Sequence, residues 1–380
     1  MTRWLALALT SSACLIPVGE GRDALTTGEG PNGADAGTPV DAGNAPVVPV
    51  HTALSDCFPA GSARRIYEGN TSIQSMRLDG PGRLALRFAE DFPWYPTKKV
   101  IDFDGTVLSN NLEVTHERAG LGAIADDGHG LTVFVGGEFA EEQNVTYVTQ
   151  HWSKQFRPLS NVTWPGTDIV YNPVRDEFAL FWKTEGRIAM QTRFTDGGVG
   201  STSVVATDFL AKPAAVAWTP DRYVVLGLST VYSVGTDGVV RDQIALSGTG
   251  RTVATDLGSR AGVTVHGFDG GSLAFTEISG TDGSMTARSH QLLDHVKESA
   301  ADAVWDPVAG AWRVVFAPRL SGPISLATIT PSGGLVQLTP IGCSVLADEI
   351  RTVLSGRTLF IMYWSYAGPA FTSGVLRVDL

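Results

Sequence analysis

Cysteine is scarce in this chain: three residues in 380, at positions 14, 57 and 343. The seven histidines (51, 116, 129, 151, 266, 290 and 295) are dispersed, with no HExxH and no close Cys/His set. The sequence therefore carries no metal-centre signature, and it calls for no metal and no cofactor. Charge is sparse as well, at 18%, with a net charge of −11 and no run of Lys or Arg, which excludes a nucleic-acid surface. Beyond the N-terminus no apolar run is long enough to span a bilayer. The GxSxG elbow, the P-loop, the dinucleotide fingerprint, the sialidase Asp-box and the docking motif of quinoprotein propellers are all missing. A kelch-type Gly doublet occurs at Gly136-Gly137 but does not recur at one fixed place. Helical periodicity is missing too. Leu292–Ala301 alone has some helical character, and its apolar spacing is poor.

What the chain has is glycine (43), proline (20) and 43% hydrophobic residues, the make-up of many short strands around a sizeable core. Two turn signals recur. The first falls at Asp79, Asp126, Asn172, Thr219, Leu257, Asp306 and Ser355, in steps of 47, 46, 47, 38, 49 and 49 residues. The second is an Asp-Gly or Ser-Gly pair about two dozen residues later, as in Asp104-Gly105, Asp196-Gly197, Asp237-Gly238, Asp282-Gly283 and Ser332-Gly333. Asp-Gly between apolar runs is a hairpin signal, because Gly accepts the positive φ of the tight turn. Repeat two lacks it around His151-Trp152-Ser153-Lys154, and repeat four is shortened. Asp102-Phe103-Asp104-Gly105 reads as such a turn rather than a calcium loop, since it lacks a third ligand and the terminal Glu.

Each unit reads as four strands, a to d. In repeat three these are Asp168–Tyr171, Glu177–Trp182, Arg187–Phe194 and Ser203–Thr207. Four-stranded units of 40–50 residues predict an all-β chain, a seven-bladed β-propeller. A pair of β-sandwiches is the alternative fold. Repeat seven runs out of chain after strand c, and the strand-like piece Ala63–Tyr67 predicts its missing outer strand, so the N-terminus closes the last blade. Cys57 then precedes that strand and Cys343 precedes strand a of the same blade, so a Cys57–Cys343 disulfide would lock the closure. Two free thiols are the other possibility.

The first thirteen residues read as a signal peptide: Arg3, a short apolar core Trp4–Thr10, and the small residues Ser11-Ser12-Ala13. Cys14 directly after them resembles the lipidated cysteine of a bacterial lipobox; cleavage without lipidation is the alternative. Residues 14–55 are rich in Gly, Ala, Pro, Asp and Thr, repeat Asp-Ala-Gly at 35–37 and 41–43, and predict a disordered stalk. The propeller domain is then 56–380.

In a propeller the a–b and c–d turns share one end, while the irregular b–c loops and d–a crossings share the other. Variable loops on a rigid scaffold carry binding. Candidate ligand-binding residues on that end are Trp94, Tyr95, Glu138, Glu141, Arg319, Tyr366 and Phe371; for Trp94 and Tyr95 the plain alternative is capping of a blade edge. Charged residues near the a strands (His116, Glu117, Arg118, Asp168, Lys212, Arg251, Glu298, Asp348 and Glu349) form a second set, which ordinary lining of a water-filled channel also explains. No catalytic residue stands out.

Units such as Ala217-Trp218-Thr219-Pro220 and Thr236-Asp237-Gly238-Val239, with Cys14 and the stalk, give the whole a resemblance. It resembles the exported myxobacterial lipoproteins with Ala/Asp/Gly/Pro-rich stalks and propeller-like repeats. That family implies no defined activity. The expectation is a monomeric binding scaffold tethered to the bacterial cell envelope, touching the membrane through its lipid alone and presenting its loops to a protein or glycan. An exported glycan-acting hydrolase with carboxylates at the channel mouth is the rival, and an assembly or chaperone-like envelope component the third.

Overall fold

The structure, a computed structural model, describes residues 63–380 apart from 91–94, 113–122, 128–131, 137–143, 149–152, 157–166, 185, 196–197, 208–213, 257, 268–271, 281–283, 294–298, 319–322, 332–333, 345–346 and 368–369. Its first strand is β1 (Arg64–Gly69). Sheet one follows with β2 (Ile73–Leu78), β3 (Arg83–Glu90), β4 (Tyr95–Asp102) and β5 (Val107–Leu112). Sheet two has β6 (Ala123–Asp126), β7 (Thr132–Gly136), β8 (Asn144–Val148) and β9 (Ser153–Phe156). Sheet three has β10 (Thr167–Asn172), β11 (Glu177–Thr184), β12 (Arg187–Phe194) and β13 (Val199–Thr207). Sheet four has β14 (Ala214–Thr219), β15 (Arg222–Leu226), β16 (Thr230–Gly235) and β17 (Val240–Ala245). Sheet five has β18 (Gly248–Thr255), β19 (Arg260–Gly267), β20 (Leu273–Ser279) and β21 (Thr286–Leu293). Sheet six has β22 (Ser299–Asp306), β23 (Ala311–Pro318), β24 (Pro323–Thr330) and β25 (Gly334–Ser344). Sheet seven has β26 (Glu349–Ser355), β27 (Thr358–Ala367) and β28 (Ala370–Asp379), with β1 as its fourth strand.

Every pairing is antiparallel between neighbours in the chain, except that β28 pairs with β1, Arg64 opposite Arg377 and Gly69 opposite Ser373. The N-terminal strand thus supplies the missing fourth strand. No helix occurs among the described residues. The short fourth repeat is explained by its strands: β15 and β16 are 5 and 6 residues long where β11 and β12 are each 8.

The core lies between sheets. Five buried apolar clusters among the described residues each draw on two sheets: four join consecutive sheets, and the fifth joins sheet seven to sheet one. In β23, Trp312, Val314 and Phe316 pack toward sheet five, while Val315 and Ala317 pack toward sheet seven. A strand buried on both faces cannot alternate apolar with polar, which is why the second strands read as continuous apolar runs. Phe316 is fully buried, and truncating such a side chain to Ala costs about 3–5 kcal/mol.

The two ends of each sheet differ. At the turn end, Asn172 Oδ1 accepts from the Val174 and Arg175 amides. Asp306 Oδ1 does the same with Val308 and Ala309. The fourth residue after each has positive φ: Asp176 at 53° and Gly310 at 60°. At the loop end, connections range from two residues between β11 and β12 to ten between β5 and β6 and between β9 and β10. Because β1 runs antiparallel to β28, its first residue lies level with Arg377, at the turn end, and its last reaches the loop end.

Candidate functional site

At the loop end, charges on first strands of different sheets act on one another. Arg351 on β26 is ion-paired with Glu349 (2.6 Å) and feels the carboxylates of Asp302 on β22 and Asp168 on β10. Burial works to lower its pKa, and those three carboxylates outweigh burial and raise it. Its side chain is still 41% exposed. Charged groups from sheets three, six and seven therefore lie within electrostatic reach of one another.

Asp168 and Asp302 are engaged in holding backbone, and Glu349 in holding side chains of its own sheet. Asp168 Oδ1 accepts from its neighbour Ile169 (2.9 Å), and Oδ2 accepts from the Ala215 amide of sheet four (2.8 Å). Asp302 Oδ2 accepts from both the amide (2.7 Å) and the hydroxyl (2.9 Å) of Thr352 on sheet seven. Burial pushes the Asp302 carboxyl up, with Arg351 and Thr352 opposing. Glu349 Oε2 accepts from the Trp364 indole (3.1 Å). Chemically, Asp168 stitches β10 to sheet four and Asp302 stitches β22 to sheet seven. It offers no pair of free carboxylates around a reacting bond.

The candidates named from sequence land unevenly. Trp94, Glu138, Glu141, Arg319, Cys14 and Cys57 lie outside the described residues, as do His116, Glu117, Arg118, Lys212 and Glu298. Tyr366 and Phe371 were read as loop, but β27 runs on to Ala367 and β28 starts at Ala370, so they are a directly opposed pair near the hairpin tip. Tyr95 opens β4, opposite Glu90. Cys343 is in β25, which ends at the loop end, whereas β1 starts at the turn end.

Asp302 and Arg351 escaped the sequence reading. The available signal was a lone charge inside an otherwise apolar strand, Ala300-Ala301-Asp302-Ala303-Val304. The turn reading of 102–105 is matched by geometry. Asp102 Oδ1 accepts from Asp104 (2.9 Å) and Thr106 (2.8 Å), and its pKa is lowered chiefly by the Thr106 amide.

No protein-family model matches the chain, and no curated protein does. Solved structures do. The WD40 domain of Pan2 from Neurospora crassa aligns with a TM-score of 0.58 at 9% identity, over 85% of this chain and 98% of that one. The WD40 domain of coronin from Toxoplasma gondii gives 0.50 at 8% identity, over 86% and 89%. Sqt1 from Chaetomium thermophilum gives 0.50 at 14%, over 80% and 86%. At such identities the likeness speaks for the fold alone. The fold is a β-propeller repeat.

Proposed function

We propose that the seven sheets are blades of one closed ring, sealed by β1, and that this propeller is a monomeric binding scaffold of the bacterial cell envelope. In this reading a signal peptide is removed, Cys14 carries lipid, residues 14–55 are the stalk, and the loop end meets a protein or glycan.

The direction of β1 carries the reading. The chain that precedes it joins the sheets at the turn end, so a tether attached there leaves the loop end free. Closure is supported by adjacency: β26 adjoins β22 on one side and β2 on the other, which makes sheet one the neighbour of sheet seven. The hydrolase alternative has less behind it, because Asp168, Asp302 and Glu349 are occupied in the bonds above.

Growth with an alkyne-tagged fatty acid tests the tether. Label on the full-length protein, lost together with membrane association in Cys14→Ser, is the expected result. An unlabelled wild type found free of the membrane overturns the display reading. Turnover of any member of a glycan panel by the purified protein would revive the hydrolase.

A further inference from the structure

In three sheets a glycine at the turn between the third and fourth strands abuts the fourth strand of the neighbouring sheet. A Cβ on Gly238 of sheet four would run into the Ser203 side chain of sheet three, and one on Gly334 of sheet six would press on the His290 ring of sheet five. Both neighbours are side chains that can turn aside. In sheet one the neighbour is backbone: a Cβ on Gly105 would run into the main-chain carbonyl of Ile66 on β1. That contact falls on a bulge. Arg65 pairs with Leu376 and Tyr67 with Val375, so Ile66 is an extra residue in the ladder. A bulge pins register, because the strand cannot slide without carrying its extra residue past its partner. The turn of sheet one sits against that extra residue.

Charges close over the same place. Arg64 and Arg377 lie directly opposite each other at the start of β1, and like charges so placed repel. Asp104, next to Gly105, accepts from both: from Arg64 Nη2, and from Arg377 Nη1 at 3.0 Å. Arg377 also donates to the Phe103 carbonyl (3.2 Å) and to Asp379 (3.2 Å). The Phe103 ring packs on Phe360 of β27, 4.5 Å between centres. The turn itself is held stiff: Asp102 accepts from the Asp104 and Thr106 amides, and the Phe103 amide donates to the Gly82 carbonyl of the first turn (3.1 Å). On the other side of the bulge, Tyr67 packs on Phe88 (5.8 Å) and its hydroxyl accepts from Lys99 (3.2 Å). Sheet one thus grips β1 on both sides of Ile66.

We propose that the Phe103-Asp104-Gly105 turn is a clasp that keeps β1 seated when the N-terminal chain is pulled. β1 meets β28 over only five residue pairs, and any load on the chain before Arg64 enters the sheets through it. A pull along the strand draws β1 lengthwise toward the turn end, the direction in which the seated bulge resists. The ion pair adds little at equilibrium, since the side chains of Arg64 and Asp104 are 56% and 68% exposed. Its place matters more, because it lies where the load arrives, and resistance to force is set by the unfolding barrier. The inference rests on the proposed tether and supplies its anchor, a strand that does not slip while the loop end holds a ligand.

The test is constant-force spectroscopy on the unlipidated full-length protein, so it is independent of the lipid. Handles are attached at Cys14 and at Ser229→Cys, in a chain with Cys57 and Cys343 replaced by Ser, so that the load passes through β1. A control geometry, with handles at Val308→Cys and Ser229→Cys and with Cys14→Ser, leaves β1 unloaded. In the first geometry the lifetime under load is expected to fall about threefold or more in Asp104→Ala and about tenfold or more in Gly105→Ala. The shortening should be clearly smaller in the control geometry. Urea midpoints establish that each variant is folded. A wild-type lifetime in either variant, or a shortening as large in the control geometry, would overturn the proposal. Failure of lipid labelling with this difference intact would remove the display reading alone.

Discussion

At the turn end, side-chain oxygens fold back onto their own backbone: Asn172, Asp306, Asp256, Asp102 and Asp237 each accept from amides two to four residues on. Toward the loop end and at mid-strand, carboxylates reach across to the next sheet, as Asp168 does to Ala215 and Asp302 to Thr352. The first arrangement fixes each unit's hairpin, with Asn172 Nδ2 also donating to the Pro220 carbonyl of the next turn (3.2 Å), and the second fixes the relation between strands of neighbouring units. The turn end can therefore be uniform from repeat to repeat, while the loop end is free to differ in connection length. Uniformity at one end suits attachment, and variety at the other suits recognition.

The comparison is broken most severely by removing β1, which spans both ends. A chain beginning at Asn70 leaves β28 an open edge and strips Ile66 from the cluster between sheets seven and one. Denaturant unfolding of that truncation is expected to lose most of the native cooperativity. A native-like transition would mean that sheet seven stands without its N-terminal strand.

A finer separation uses two glycines at the turn end. Gly310 has φ 60° and open space where a Cβ would go, so Gly310→Ala is expected to cost about 1 kcal/mol from backbone strain alone. Gly105 has φ 93°, and a Cβ there would lie 1.9 Å from the Ile66 carbonyl of β1. Gly105→Ala is expected to cost roughly 2–4 kcal/mol, because the turn of sheet one must lift off β1. Equal costs, measured by urea titration, would mean that this turn does not bear on β1.

At mid-strand, Asp302→Ala removes the acceptor for the Thr352 amide and hydroxyl, and roughly 1–3 kcal/mol is expected. Restoration by Thr352→Val in the same chain would show that the stranded donor, rather than lost packing, sets part of the cost. The smallest effect belongs to His290 on β21. Its pKa is lowered by burial and then by Arg288, and a Cβ on Gly334 of sheet six would lie 3.3 Å from its ring. A depressed folded pKa means that the neutral ring's contribution is complete above about pH 6.5 and is lost as pH falls below it. The urea midpoint should drop between about pH 7.5 and 5.5, and by less in His290→Gln. An unchanged pH slope in that variant would remove His290 from the account.

Much of the fold was legible because turn chemistry is local. Asn172-Pro173 and Asp306-Pro307 announce the same turn, and β12 runs over the residues expected of it, Arg187–Phe194. The fourth strand of sheet seven was legible because the last repeat was one strand short. The loop end was harder to read. The Tyr366–Phe371 segment contains Gly368-Pro369, which reads as the middle of a long loop but occupies a two-residue connection between paired strands. Asp302 and Arg351 were missed because their meaning comes from partners about 50 and 180 positions away, which only the assembly of sheets brings near.

The proposed presentation of the loop end is tested most directly on the full-length protein carrying the proposed lipid at Cys14, in vesicles containing an acceptor-labelled lipid. A single donor dye is placed at Val308→Cys on the turn end or at Ser229→Cys on the loop end, in a chain with Cys57 and Cys343 replaced by Ser. Stronger energy transfer to the bilayer from position 308 than from position 229 is the predicted result. Equal transfer, or stronger transfer from position 229, would contradict it.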